Sequence, residues 1–475
     1  MKIHLLQTND IHSQLENYMR LAASLRQQRA RLREQGDAVL TFDIGDILDR
    51  VRPETEATYG AINAAMMAAV GYDAWVFGNN EGLTIPVDRW DELRRLSGAV
   101  VFGSNLRTSC GSQLVGFADS QVFTAGGVRI GVFGVTAAYK EPYELLDVDV
   151  TSPFAAAAAQ VDQLHSQGCD IVVALSHLGL WDDRKLAVQV PGIDVVLGSH
   201  SHNFMEAAEV IEGTAVFQPG AHGLRYGHTV IDFDTRSGCI QSIDCEAIAV
   251  DLHGPLDADT HSVYREYRPV FDEVLNQPVV CLPRPLPVRM DSESPLANIL
   301  VEGLFERYPC DLGMMMAGAL NASLRAGQIR RRHVHGACAT PTRPVLLTLS
   351  GENIRNILEK SMSPEYYNQT GRGYGFRGGV IGFMAVANVD VEFALTHKNP
   401  RIHSVLIAGQ PLNPLRRYRI VTCEYLWLST VFAEFREAED IQVQVPLVRE
   451  VLGDALANPR VRDQADVCHY HRRDG

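Results

Sequence analysis

The sequence predicts an α/β domain joined through a linker helix to a second, α+β domain. Three observations carry that reading. Apolar strand-like runs alternate with segments of helical periodicity through the first half of the 475 residues. The alternation stops near residue 250, where a polar helix and a proline-rich stretch intervene. Five early strands run directly into small clusters of Asp, Asn and His.

The elements follow in order. Lys2 to Thr8 is a short apolar strand, and Tyr18 to Arg33 has helical spacing at Met19, Leu21, Ala22 and Leu25. Val39–Phe42 and Ala74–Phe77 are strands separated by a helix over Ile62–Val70. Val128–Val135 and Ile171–Leu175 are near-continuous apolar runs, as strands covered on both faces should be. An Ala-rich helix, Phe154–Leu164, separates them. Ile193–Leu197, Thr214–Phe217 and Thr229–Phe233 are further strands. Asp257–Leu275 reads as one polar helix, and Pro278, Pro283, Pro285 and Pro287 follow it. Beyond about residue 290, helices at Leu296–Arg307 and Gly351–Ser361 mix with strands at Val345–Leu349, Val391–Leu395, Ser404–Ile407 and Arg419–Val421. Arg330-Arg331-Arg332 reads as a solvated turn, and the tail from Arg462 as frayed.

Composition excludes several classes. With 46% hydrophobic and 21% charged residues the chain is globular, not disordered. Its net charge of −14 argues against a protein that coats nucleic acid or lies on an anionic membrane. No apolar run of about 18 residues offers a membrane span. No charged n-region with an apolar h-region opens the chain, so a cytoplasmic location is expected. The nine cysteines are scattered without a C-x-x-C pair, so reduced, mostly buried thiols are expected and cysteine-bound zinc is not.

The chemistry sits at strand ends. The clusters are Asn9-Asp10-Ile11-His12, Asp43-Ile44-Gly45-Asp46, Gly78-Asn79-Asn80-Glu81, Ser176-His177-Leu178-Gly179 and Gly198-Ser199-His200-Ser201-His202. The carboxyl ends of strands in open α/β sheets line the ligand crevice. Carboxylate, amide and imidazole donors suit Mn, Fe, Co or Zn better than Ca. One carboxylate can bridge two cations about 3.5–4 Å apart. The i, i+2 spacing of Asp10 with His12 and of His200 with His202 lets an extended segment aim both side chains to one side.

This set resembles the calcineurin-like metallophosphoesterases, and within them the bacterial 5′-nucleotidase / UDP-sugar hydrolase family. The resemblance implies a four-layer β-sandwich flanked by helices over residues 1–250, a connection over 251–288, and a substrate-binding domain over 289–475. It implies two divalent cations (Mn, Zn, Fe or Co), one held by Asp10, His12 and His202 and the other by Asn79, His177 and His200. Asp46 would bridge them. The implied reaction is in-line hydrolysis of a phosphate ester of a nucleotide or related small molecule by a metal-held hydroxide. The partner is then a small phosphorylated substrate, with neither nucleic acid nor membrane. Two divalent cations would bring +4 to a spot whose two Asp ligands carry −2, so an acidic chain can still accept an anion there.

The sequence departs from the family in two places. Members carry Gly-Asn-His-Glu and, two residues on, an Asp, and that His and Asp form a dyad at the phosphoryl group. Here Asn80 and Leu83 stand in those positions. Asn80 becomes the candidate catalytic residue, able to donate a hydrogen bond but no proton. His222, in Pro219-Gly220-Ala221-His222-Gly223, is another possible donor. Two alternatives stay open: a phosphodiesterase or nucleotide-sugar pyrophosphatase acting on a good leaving group, or a weakly active nucleotide sensor. In the second domain the family's substrate-contacting Asn and Arg appear as Met316 and Asn321. Arg377 is the candidate phosphate contact there, and Phe376 with Phe432 or Phe435 the candidate base-stacking rings.

Overall fold

The structure is a computed structural model that describes residues 1–373, 375–396 and 399–473. The chain forms two compact units, Met1–Phe271 and Asp272–Gly475. The helix Ala258–Leu275 crosses from one to the other and accommodates Pro269 within it.

The strands of the first unit are β1 Lys2–Thr8, β2 Ala38–Asp43, β3 Ala74–Val76, β4 Val100–Phe102, β5 Leu106–Thr108, β6 Ser120–Ala125, β7 Val128–Thr136, β8 Val148–Val150, β9 Ile171–His177, β10 Val195–Gly198, β11 Glu209–Ile211, β12 Thr214–Phe217, β13 Arg225–Asp234 and β14 Cys239–Ala249. They build two six-stranded sheets, ordered β14-β13-β1-β2-β3-β4 and β11-β12-β10-β9-β7-β6, while β5 and β8 form a separate ribbon. The centre of each sheet is parallel: β1 with β2, β7 with β9, and β9 with β10. Antiparallel strands close the edges, at β13–β14 in one sheet and at β6 and β11 in the other.

Alternation along each strand explains the sandwich. Ile171, Val173 and Leu175 of β9 enter a core shared with Ile3, Leu5, Phe42, Val76, Ile130 and Val195 from both sheets. Val172 and Ala174, one residue out of phase, enter a second core against Ala157, Val161, Leu164 and Leu186 of helices Pro153–Ser166 and Leu180–Gln189. Both faces of β9 are therefore buried, which is why its sequence is continuously apolar. Each fully buried Val, Ile or Leu contributes about 1.5–3 kcal/mol. A one-residue slip would exchange the two apolar sets, so the register is strongly held. On the other sheet, helix Leu15–Glu34 buries Tyr18, Met19, Leu21, Ala22 and Leu25. The result is a four-layer arrangement of helix, sheet, sheet and helix.

The second unit has a five-stranded sheet, running in spatial order Met384–Ala387, Leu312–Met316, Arg417–Cys423, Pro344–Ser350 and Glu439–Val443. A four-stranded sheet beside it ends in Tyr470–Arg472. Helices Pro295–Arg307 and Val448–Ala457 bury Leu300, Leu304, Val451 and Leu452 into its core.

Three expectations need correction. The tail is not frayed over its described part. Tyr470–Arg472 pairs in parallel with Val391–Phe393, the Tyr470 hydroxyl donates to Met384 O, and Glu293 accepts from the His469 and Tyr470 amides. Arg330 to Arg332 is a strand-to-helix junction instead of a turn. There the Arg330 guanidinium donates to Asn276 O and Arg332 pairs with Asp272. Of the nine cysteines, only Cys245, Cys338 and Cys423 are buried, although all nine are free thiols. Cys245 and Cys423 lie on strands and Cys338 caps a helix, so burial depends on where each thiol falls in the fold, which a scattered count does not encode.

Candidate metal centre

Parallel register sets the strand ends level. Thr8 of β1 lies beside Asp43 of β2, Thr136 of β7 beside His177 of β9, and Ser176 of β9 beside Gly198 of β10. The loops that leave these ends meet one another. The Asp10 amide donates to Gly45 O, the His12 amide to Asp46 O, and the His200 amide to both Asp10 carboxylate oxygens at 3.1 and 3.0 Å.

The backbone here is not the extended segment that the i, i+2 spacing suggested. Asp10, His12, Asp46, His200 and His202 all have positive φ, at 47°, 47°, 54°, 71° and 56°. Each such residue costs about 1–2 kcal/mol, so the surrounding structure holds these turns. Two glycines permit the crowding. A Cβ on Gly78 would stand 2.1 Å from Asp46 Oδ1, and one on Gly45 2.7 Å from His177 Nδ1.

The side chains gather in two groups, Asp10 with His12 and His202, and Asp46 with His177 and His200. Within each group the donor atoms lie within 4.8 Å of one another. Asn79 joins the second group, its Oδ1 being 3.2 Å from His177 Nε2. Asp46 stands between the groups. Its Oδ2 is 3.7 Å from His12 Nε2 and its Oδ1 is 3.4 Å from His177 Nε2. All are buried except His200 and Asn79, which are half-buried, and His202, which is exposed.

Buried carboxylates set the electrostatics. Burial pushes the Asp10 carboxyl up to about 6, against the pull of His177. Burial also works on Asp46, but the His177 and His12 imidazoles outweigh it and hold that carboxyl well below its usual range. Burial would lower His12, yet the carboxylates of Asp49, Asp46 and Asp10 raise it to about 9. Asp46 and Asp10 likewise overcome burial at His177 and raise it to about 10. Burial and the neighbouring imidazoles pull His200 and His202 down to about 4. The carboxylates thus draw positive charge onto His12 and His177, and the Asp, His and Asn donors suit divalent transition metals.

Three flanking residues were not assigned from the sequence. Glu81 is buried and accepts from the amides of Asp46, Gly78 and Leu48 at 2.9, 2.8 and 3.1 Å, tying the two loops together. Asp49 Oδ2 lies 3.3 Å from His12 Nδ1. The Tyr139 hydroxyl is 3.2 Å from His200 Nε2. Glu81 already sat in the Gly-Asn-Asn-Glu cluster, Asp49 is three residues past Asp46, and Tyr139 follows the end of β7. Polar residues just beyond a strand end were the available signal. His222, the alternative donor, has its ring centroid 5.5 Å from that of His12 and 5.2 Å from that of His202.

Comparison with known proteins adds the family. Residues 3–204 match the Calcineurin-like phosphoesterase family and residues 280–431 the 5′-nucleotidase C-terminal domain family. The chain belongs to the calcineurin-like metallophosphoesterases that carry a 5′-nucleotidase C-terminal domain. It is 29% identical to an uncharacterised metallophosphoesterase of Bacillus subtilis, YunD, over 96% of this chain and 98% of that one. It is 22% identical to a 5′-nucleotidase of Vibrio vulnificus over 89% of this chain and 84% of that one. In fold it is similar to the NAD nucleotidase of Haemophilus influenzae, with a TM-score of 0.69, 16% identity and coverage of 99% and 97%. Like other members of this metallophosphoesterase family, the chain is a hydrolase, and the family uses divalent metal ions.

Against that family background Asn80 has a specific setting. Its amide N–H donates to Asp46 Oδ1 at 2.8 Å and its Nδ2 donates to Asp46 Oδ2 at 2.7 Å. Asn80 thus grips both oxygens of the central carboxylate. In the second unit, Phe376 and Phe432 are 7% and 1% exposed. Phe376 stacks on Tyr425 with centroids 4.5 Å apart, and Phe432 on Tyr366 at 5.4 Å. Phe435 is fully buried beside Phe432. Arg377 is exposed, on a loop held by Asn321 Nδ2 donating to Arg377 O and by the Arg377 amide donating to Thr340 Oγ1. Met316 is buried in the central strand Leu312–Met316.

Proposed function

We propose that this chain hydrolyses a phosphate ester of a nucleotide or related small molecule with the help of two divalent cations. The carrying observation is Asp46, whose two carboxylate oxygens each face one of the two donor groups. Asp10, His12 and His202 would hold one cation and Asn79, His177 and His200 the other, with Asp46 shared. Bound cations supply positive charge for the phosphoryl oxygens and a water that is nucleophilic near neutral pH. The chain's own residues do the rest. The His177 Nδ1–H is held by Ile44 O at 2.7 Å, which turns Nε2 toward the donor group. Asn80 donates to both oxygens of the Asp46 carboxylate and so holds it in place between the two groups. Residues 1–250 then carry the reaction, 251–288 connect, and 289–475 take the substrate, with the exposed Arg377 as the candidate contact, while Phe376 and Phe432 are taken up by Tyr425 and Tyr366.

A second reading draws on Asn80. It cannot protonate a leaving group, which favours substrates whose leaving group needs no proton, such as nucleotide pyrophosphates or activated diesters. The test is a panel run on Mn- or Zn-loaded protein: 5′-nucleotides, a nucleotide-sugar and bis-p-nitrophenyl phosphate. Turnover of monoesters supports the first reading, turnover of only the latter two supports the second, and none on any substrate overturns both. A cytoplasmic setting is part of the proposal, supported by nine free thiols. Among the described residues, no helix is long and apolar enough to cross a membrane.

A further inference from the structure

We propose that the two cation positions are unequal, and that Asp49, acting through His12, makes the Asp10 group the tighter one. This rests on the two-cation reading above. The Asp10 group contains the wholly buried Asp10 carboxylate and one oxygen of Asp46. Behind it lies a third carboxylate, Asp49, also 0% exposed, with Oδ2 3.3 Å from His12 Nδ1. The other ring nitrogen of His12, Nε2, points into the group, 3.0 Å from His202 Nε2. A carboxylate beside one nitrogen of a ligating imidazole draws the ring proton to that side by its charge and makes the opposite nitrogen a stronger donor. The Asp49 loop is itself fixed, since its amide donates to Ser13 Oγ at 2.7 Å and its Oδ1 accepts from the Val51 amide at 2.9 Å.

The second group shares Asp46 but is otherwise neutral. Asn79 is an amide, His177 rests on Ile44 O and Ser199 Oγ, and the outer nitrogen of His200 meets the Tyr139 hydroxyl. The further acid acting on His200, Asp182, is half-exposed and paired with Lys185 at 2.8 Å. Glu81 acts on Asp46 and is common to both groups. Asp183, a buried acid that His177 also acts on, is held by Ser176 Oγ and Gln218 Nε2, and Asp10 reaches His177 only across the site, whereas Asp10 and Asp49 both lie against the imidazoles of the first group. Asp49 is a positioning residue in this scheme.

The test is titration of chelator-stripped, full-length protein with Mn²⁺ alone, followed by calorimetry. The wild type should take up one cation tightly and a second more weakly. Asn79→Ala should weaken only the weak step, which assigns the steps without any change at Asp49. Asp49→Asn keeps the side-chain volume and the oxygen that receives the Val51 amide. It should weaken the tight step about 10–100-fold and move the weak one by less than about threefold. The metal-free melting temperature of Asp49→Asn should equal that of the wild type, whereas a merely structural role would lower it and weaken both steps together. Equal steps in the wild type, weakening of the tight step by Asn79→Ala, or an unchanged tight step in Asp49→Asn would each overturn the inference. Absence of any Mn²⁺ uptake by the wild type would instead overturn the function proposed above.

Discussion

In the first unit, charged and ligating side chains that are hard to bury converge on one spot at the ends of parallel strands. In the second unit, the aromatic rings marked out for substrate bury themselves against other rings. The contrast has a physical origin. Asp10 and Asp46 are 0% and 2% exposed, so each needs partners, and those partners are themselves metal-ligand types. Phe376 and Phe432 need only apolar neighbours, and Tyr425 and Tyr366 serve. A cluster of buried carboxylates and imidazoles is therefore a far stronger sign of function than an aromatic residue in a plausible loop.

The comparison can be broken most severely at Asp46. Asp46→Ala should cut hydrolysis by about 10³-fold or more and reduce the bound metal measured by elemental analysis, because both groups lose a shared carboxylate. A variant that retains two cations per chain would remove Asp46 from its bridging role. The second unit should respond in a different currency. Phe432→Ala should lower unfolding free energy by about 3–5 kcal/mol in urea titration with little change in KM, as expected for a ring stacked inside a core. A raised KM at unchanged stability would restore Phe432 as a substrate contact. Asn80→His should lower kcat by about 10–100-fold, since it breaks the bond to Asp46 Oδ2. A rate gain would show that Asn80 impairs an otherwise more active site. The smallest effect belongs to Arg377→Ala, with KM rising roughly 3–10-fold if the exposed guanidinium meets a phosphate, about the net worth of one ordinary hydrogen bond. No change in KM for any substrate in the panel would leave Arg377 outside the site.

Much of the first unit was legible because its patterns have few physical solutions. Continuous apolar runs such as Ile171–Leu175 demanded strands covered twice, and β9 is such a strand. Within each sheet the clusters at the ends of β1, β2 and β3, and of β9 and β10, lie side by side because parallel strands end on the same side. The edges were less legible. The β13–β14 hairpin mixes buried and exposed residues on a sheet margin, and its second strand, Cys239–Ala249, lacks a clear apolar alternation. Tyr470–Arg472 reads as a polar tail, yet Glu293 and Met384, remote in sequence, hold it in place.

By itself the sequence determined which residue types stand at which strand ends, since local alternation and spacing dictate strands, helices and their termini. It also determined that Asn80 and Leu83 stand beyond the end of β3, because those are identities and not geometries. Only the tertiary structure decided the backbone that presents the donors. The left-handed turns at Asp10, His12, Asp46, His200 and His202 are held by contacts between loops far apart in the chain. It alone brought Asp49 to His12 and Tyr139 to His200. It also turned Asn80 onto Asp46. Spacing along a chain fixes which way a strand faces, whereas the neighbour of a side chain depends on how separate strands and loops pack.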